Sequence, residues 1–326
     1  MDKYVHNPEI QVDRPAAGWS GRIDGTGKQH LRWHQHVATG PSGMPAPQAG
    51  GRPVALLGFA SDAGVLRNQG RIGAAKGPAA LRAALSSLAI HESRMVCDAG
   101  DIVVVGDELE AGQRRLAQSV SQLLKSGMLP VVLGGGHETA YGSFGGLFDR
   151  LQHQPDARIG ILNLDAHFDL RSAPRRSSGT PFKDIANDMH AAGREFNYAV
   201  LGISQPNNTR LLFEEAKALG VTYLLDEQCG AGSLGQVAEF VDLFLQGIDQ
   251  LYLTIDLDVL PAAVAPGVSA PAAYGVPLEV IHAVCRQVAQ SGKLALVDVV
   301  ELNPRFDLDG RTARTAARLI NTLAGV

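Results

Sequence analysis

Cysteine is scarce in this chain: Cys97, Cys229 and Cys285 are far apart, with no CxxC pairing. That spacing argues against a disulfide framework and for three buried, reduced thiols in a cytoplasmic protein. Long hydrophobic runs are missing as well. No apolar stretch approaches the ~20 residues that cross a bilayer, so no membrane association is expected. The opening MDKYVHNPEIQVDRPAAGWSGRIDGTGKQH is polar and lacks the apolar centre of a signal peptide. Nor does one charge dominate. Twenty-nine Lys and Arg face 33 Asp and Glu, a formal charge of −4, which gives no reason to expect a nucleic-acid partner. What remains is 45% hydrophobic, enough to bury a substantial α/β core.

Residues 1–50 read as an N-terminal extension that packs on or near the body, closing on the Gly/Pro-rich TGPSGMPAPQAGGRP. Residues 51–326 read as one catalytic domain, with neither a linker nor an internal repeat. Strands are expected at Val54–Phe59, Ile102–Val105, Leu129–Leu133, Ile159–Leu164, Tyr198–Ile203, Val221–Leu225, Leu251–Ile255 and Leu294–Val299. Helices are expected between them at Pro78–Leu88, Glu110–Lys125, Thr209–Leu219, Leu234–Gln246 and Leu278–Ser291. Val/Ile/Leu runs without alternation mark strands covered on both faces, as in a parallel sheet between helices. The pattern favours one doubly wound α/β domain and is also compatible with a (β/α)8 barrel. Both place ligands at the carboxyl ends of strands.

Three of these strands end in acidic clusters. Gly134-Gly135-Gly136-His137-Glu138 follows Leu129–Leu133, Asp165-Ala166-His167-Phe168-Asp169 follows Ile159–Leu164, and Asp256-Leu257-Asp258 follows Leu251–Ile255. Partly buried anions lose hydration and repel one another, so a cation must compensate. Four aspartates and two imidazoles suit two divalent ions, whose charge they balance. Oxygen and nitrogen donors without thiolate favour harder ions such as Mn²⁺ over a Cys-rich zinc site. A lone DxD is more often a solvated turn or a helix cap. Asp165, His167 and Asp169 at i, i+2 and i+4 after a fully apolar strand, with two companion clusters, favour metal binding instead. His137 is the metal-directed residue of the glycine turn, and Glu138 beside it reads as a supporting or capping group.

Glu301, in VVELNP, suits a carboxylate that orients a cationic amidine, or equally a cap before Asn303-Pro304. Arg171, Arg175 and Arg176 lie in the loop after the second cluster. Arg171 and Arg176 are candidates to hold a substrate carboxylate, although any single one of them is more often a solvated loop residue. Asn207 and Asn208 are turn formers first and substrate contacts second.

Together these motifs resemble the ureohydrolase family of arginase and agmatinase, with its GG(G/D)H, DAHxD and DxDxxDP patterns. The third pattern departs here, reading DLDVLP, with its two spaced aspartates Asp256 and Asp258 intact. LGFASDAGVLRNQGRIGAAKGP, SSGTPF, TIDLDVLPAAVAPGVSAPAA and VVELNP, with RWHQ at Arg32–Gln35, narrow the resemblance to the branch that hydrolyses N-formimino-L-glutamate in histidine degradation. The resemblance covers most of the chain from Leu57 to Pro304. It implies a three-layer αβα fold with a mostly parallel, about eight-stranded sheet, two Mn²⁺ per subunit and a homo-oligomer. It implies one ion on His137, Asp165, Asp169 and Asp256, and the other on His167, Asp165, Asp256 and Asp258. It also implies that Glu301 steers the formimino group. Ser178 falls where relatives carry a proton-shuttling histidine, which argues against arginase activity and makes Ser178 a candidate substrate contact. Asp169 is the candidate to accept a proton from the attacking water. The competing readings are a urea-releasing agmatinase-like or guanidino-acid hydrolase and a non-catalytic metal-binding regulatory subunit.

Overall fold

The computed structural model describes residues 10–39, 52–91 and 94–325. Its frame is an open sheet of nine strands among the described residues, all paired in parallel. In chain order they are β1 Ala38–Thr39, β2 Val54–Ala60, β3 Val96–Val103, β4 Leu129–Leu133, β5 Ile159–Leu164, β6 Asn197–Ile203, β7 Thr222–Leu225, β8 Gln250–Asp256 and β9 Leu294–Val300. Their order across the sheet is β1-β3-β2-β4-β9-β8-β5-β6-β7. Two free edges rule out the barrel.

Ten α-helices complete the described residues. They are α1 Trp33–His36, α2 Ala63–Arg67, α3 Gly77–Ser86, α4 Leu109–Lys125, α5 Thr139–Arg150, α6 Pro181–Ala191, α7 Arg210–Ala218, α8 Leu234–Gln246, α9 Leu278–Gln290 and α10 Arg311–Ala324. Consecutive strand residues feed opposite faces of the sheet. Val54 and Leu56 join the core under α3, α8, α9 and α10, whereas Ala55 and Leu57 join that under α4 to α7. Burying both faces is what makes these strands read as unbroken apolar runs.

Three differences from expectation have physical causes. The sheet has nine strands rather than about eight, because β1 pairs with Cys97 and Asp98 of β3. The third strand begins at Val96, six residues before the apolar run at Ile102. Its first half, VCDAG, carries Asp98, whose buried charge Arg82 on α3 clamps with two bonds of 2.8 Å. Helix α5 was hidden by Gly142, Gly145 and Gly146, poor helix formers that let α4 approach closely. A Cβ on Gly146 would lie 2.5 Å from Val120.

The described part of residues 1–50 lies along the sheet edge. Trp33 is fully buried and donates its indole N–H to Asn321 at 2.8 Å, while Trp19 donates to Asp98 at 2.9 Å. Residues 1–9 and 40–50 of the expected extension, including most of its Gly/Pro-rich close, lie outside the described residues.

Candidate metal centre

Strands β4, β9, β8 and β5 are neighbours at the middle of the sheet, and all four end at one level. Leu133 pairs with Val299, Val299 with Ile255, and Ile255 with Leu164. The residues just beyond that row begin the glycine turn, the Glu301 turn, Asp256 and Asp165. Motifs up to 164 residues apart in sequence thereby share one crevice at the carboxyl edge, as open α/β sheets arrange ligand sites.

Two groups of donors form there. His137 Nδ1 lies 3.2 Å from Asp165 Oδ2, 3.0 Å from Asp169 Oδ2 and 3.1 Å from Asp256 Oδ2. His167 Nδ1 lies 3.5 Å from Asp165 Oδ1 and 3.2 Å from Asp258 Oδ2. Asp165 faces both groups, one oxygen to each. Asp256 enters the first group through Oδ2 and turns Oδ1 to the backbone N–H of Asp258 at 2.9 Å.

The donors fit a pair of divalent ions. His137 Nδ1 is buried among three carboxylate oxygens yet makes no hydrogen bond of good geometry, and neither does Asp258 Oδ1. Atoms that converge without bonding one another are aimed at a common point. The charges agree. Burial, and then the neighbouring carboxylates Asp258 and Asp165, hold the Asp256 carboxyl well above its ordinary range. Asp258 and Asp169 are raised as well, by burial and by Asp165. Burial also opposes ionisation of Asp165, but the two imidazoles overcome it and hold this carboxyl low. Anions crowded this way call for cationic charge between them.

A supporting set holds the donors. Asn163 donates to Asp165 Oδ2 at 2.9 Å, and the His167 backbone N–H donates to Oδ1 at 2.7 Å. Glu301 Oε1 accepts the His137 backbone N–H at 2.8 Å, while Oε2 is buried without a partner. Glu138 points away from the donors and accepts from Ser61 and from the Gly64 N–H. Gly135 is obligatory, because a Cβ there would lie 1.9 Å from the Ser61 carbonyl oxygen.

A pocket of about 320 Å³ opens over the centre. His137, His167, Asp169, Asp256, Asp258 and Glu301 form its floor, and Asn68, Gln69, Arg71, Arg171, Ser178 and Ser269 line its walls. Three of its residues, Gln69, Asp169 and Glu301, have positive φ angles of 61°, 49° and 67°. Such backbone strain in non-glycine residues gathers at functional sites.

The structure brings Arg171 and Ser178 to the pocket but not Arg176 or Asn207. The Arg176 guanidinium stacks 3.7 Å over the Tyr141 ring and donates to its hydroxyl at 2.7 Å. Arg175 pairs with Asp107. Asn207 is exposed outside the pocket, and the neighbouring Asn208 is the structural residue, bonding Ala166, Ser204 and Phe168. Leu260 is buried in the core. Arg71 was missed by the sequence reading. Its Nε and Nη2 donate to the carbonyls of Ser269 and Val268 at 2.9 and 2.5 Å, and Phe306 lies 4.0 Å behind it. Its one signal was a position in the RNQGR run, far from every acidic cluster. Asn163 was equally hidden inside an apolar strand.

Fold and site define a class, an open αβα domain with a double carboxylate–imidazole centre at the carboxyl edge of its sheet. A model of the Arginase family matches residues 52–325, and the chain belongs to that family. It is 58% identical over 309 residues to a formimidoylglutamase of Rhodococcus jostii, covering 95% of each chain. Among solved structures it resembles a Trypanosoma cruzi formiminoglutamase with Mn²⁺ (TM-score 0.75, 26% identity, 84% of this chain and 92% of that one). It also resembles an arginase of Bacillus subtilis (TM-score 0.71, 26% identity, 84% and 99%).

Proposed function

We propose that this protein is a binuclear-metal hydrolase that cleaves N-formimino-L-glutamate with water to L-glutamate and formamide. The observation that carries the reading is a double donor group and a buried Glu301 beneath a pocket walled by two arginines. The formimidoylglutamase relatives support the same substrate. His137, Asp165, Asp169 and Asp256 would hold one ion, and His167, Asp165 and Asp258 the other, with Asp256 beside both. Two Mn²⁺ are the expected pair, in keeping with the oxygen and nitrogen donors. When bound, the ions supply Lewis acidity and an acidified water.

The chain's own residues do the rest. Burial, and then the neighbouring Glu138, push the Glu301 carboxyl up to about 8. A cationic formimino group beside it favours the ionised form, so Oε2 accepts that group's N–H and holds its carbon over the floor. As the carbon becomes tetrahedral the cationic nitrogen turns into a neutral amine, and the same oxygen keeps accepting its N–H. Asp169 takes the water's proton and passes it to the departing amine of glutamate. At the mouth, Arg71 and Arg171 receive the glutamate carboxylates. Arg71 is held by backbone carbonyls with its Nη1 unbonded among the described residues. Arg171 is braced by Asn68, which also donates to Ser178 at 3.1 Å.

The same reading places the protein in histidine degradation and in the cytoplasm, which the three buried, unbonded thiols support. Residues 1–50 are proposed as an extension of a single catalytic domain. Assembly as a homo-oligomer rests on the family resemblance. The test is product analysis of the Mn²⁺-loaded protein on N-formimino-L-glutamate, agmatine, arginine and 4-guanidinobutyrate. Glutamate and formamide from the first alone is the expected result. Urea from a guanidino compound would overturn the substrate, and no hydrolysis at all would overturn the enzyme.

A further inference from the structure

Under the first donor group, on the sheet face covered by α4 and α5, lies a buried polar row that the reaction does not use. Asp298 sits inside the central strand β9 and is fully buried, although no Lys or Arg among the described residues pairs with it. Thr254 of β8 lies directly across from it in the ladder, and Tyr252, two residues earlier on the same face, donates its hydroxyl to Asp298 Oδ2 at 2.5 Å. Burial holds the Asp298 carboxyl above its ordinary range, opposed but not overcome by the hydroxyls of Thr254, Tyr252 and Ser143. Its Oδ1 has no partner of good geometry. At the far end of the row, Thr254 Oγ1 lies 3.0 Å from His137 Nε2. The opposite ring nitrogen, Nδ1, is the one surrounded by Asp165, Asp169 and Asp256.

A valine at position 298 would suit a strand buried on both faces and carry no desolvation cost. A carboxylate placed there needs another reason. Imidazoles that bind metals through one nitrogen commonly donate the other N–H to an oriented acceptor, which fixes tautomer and ring angle. A threonine hydroxyl that accepts from Nε2 still has its own proton to donate, and Asp298, its partner in the ladder, is the acceptor beside it.

We infer that Thr254 and Asp298 are positioning residues that hold the proton of His137 on Nε2 and aim its Nδ1 lone pair at the first metal position. The inference rests on the metal reading above. It predicts an unequal effect: the ion that His137 serves depends on this row, and the ion that His167 serves does not.

The test is titration of the full-length, metal-free protein with Mn²⁺, with free ion followed by its EPR signal, in wild type, T254V, T254S and D298N. Wild type should take up two ions. T254V, which keeps the shape and removes the hydroxyl, should bind one of them roughly tenfold or more weakly and leave the other unchanged. T254S should restore wild-type uptake, and D298N should weaken the same ion. Two ions bound by T254V as tightly as by wild type would overturn this inference alone. Equal weakening of both ions, with a lower melting temperature of the metal-free T254V chain, would assign the hydroxyl to strand packing and also overturn it. A wild-type chain taking up fewer than two ions would remove the metal reading and this inference with it.

Discussion

The carboxylate of Glu301 accepts the backbone N–H of His137 at 2.8 Å, tying the last strand of the sheet to the glycine turn 164 residues earlier. The Glu301 backbone N–H in turn donates to the Gly135 carbonyl at 2.8 Å. A residue that faces the substrate and one that faces the metals are thus clamped together, and Glu301 pays with a left-handed backbone. Oε1 serves the clamp. Oε2 is left for substrate.

Glu301→Gln separates these two duties, because an amide oxygen can still accept from His137 while the charge is lost. A hydrogen bond to a charged group is worth about 1.5–3 kcal/mol, so kcat/KM on the formimino substrate should fall roughly ten- to a hundredfold. Metal analysis should still find two ions per chain. Unchanged kinetics would take Glu301 out of the reaction.

Asp169→Asn tests the proton acceptor. Asparagine tolerates the positive φ of 49° at this position, so the backbone need not move. Turnover should drop roughly a hundredfold or more, with a smaller change in KM. Steady-state kinetics beside metal content would check this. Full turnover with both ions bound would sink the assignment.

Arg71→Ala should raise KM for N-formimino-L-glutamate by about tenfold or more through the loss of a charged hydrogen bond, with kcat nearly preserved. Arg176→Ala should leave KM where it is, since that guanidinium stacks on Tyr141 outside the pocket. Paired KM measurements decide between them. A larger effect at Arg176 would reverse the assignment.

Metal uptake should release protons. Burial works to lower the His137 and His167 pKa values, but the facing carboxylates overcome it and raise both well above the ordinary 6.5. At neutral pH the metal-free chain therefore holds protons on these rings, which an ion must displace. The Mn²⁺ binding enthalpy should vary with the ionisation enthalpy of the buffer, and affinity should fall as pH falls. Calorimetry in two buffers with identical heats would contradict this.

The three thiols set an alkaline limit. Burial pushes Cys97, Cys229 and Cys285 up to about 12 from an ordinary 9.0, helped by Asp98 at Cys97 and by Asp226 at Cys229. Below pH 9 both folded and unfolded chains keep these protons, and the thiols add no pH dependence. Between 9 and 12 the unfolded chain gives up protons that the folded chain retains, so stability must fall as pH rises. Denaturant melts from pH 8 to 11 should show the decline, and native protein at pH 8 should resist thiol reagents. Rapid labelling of folded protein would contradict the burial.

The sequence alone determined the chemistry of the floor. Asp165, His167, Asp169, Asp256 and Asp258 sit at the ends of apolar strands, and an anion in that place demands compensation whatever the rest of the fold does. The glycine turn was legible for the same local reason, whereas Glu301 in VVELNP read equally as a substrate-orienting carboxylate or a cap; the strands themselves were legible because each is buried on both faces. Only the tertiary structure decided that β4, β9, β8 and β5 lie side by side, since strand order depends on how helices pack across the sheet. It also decided the walls. Arg71 rather than Arg176 reaches the pocket, and Asn208 rather than Asn207 holds the second cluster's loop, because a neighbouring ring or carbonyl claims each side chain. Asn163, Thr254 and Asp298 were hidden inside strands whose apolar neighbours dominate the pattern. Their meaning depends on register, which sets one strand's residue beside another's and which no single segment of sequence contains.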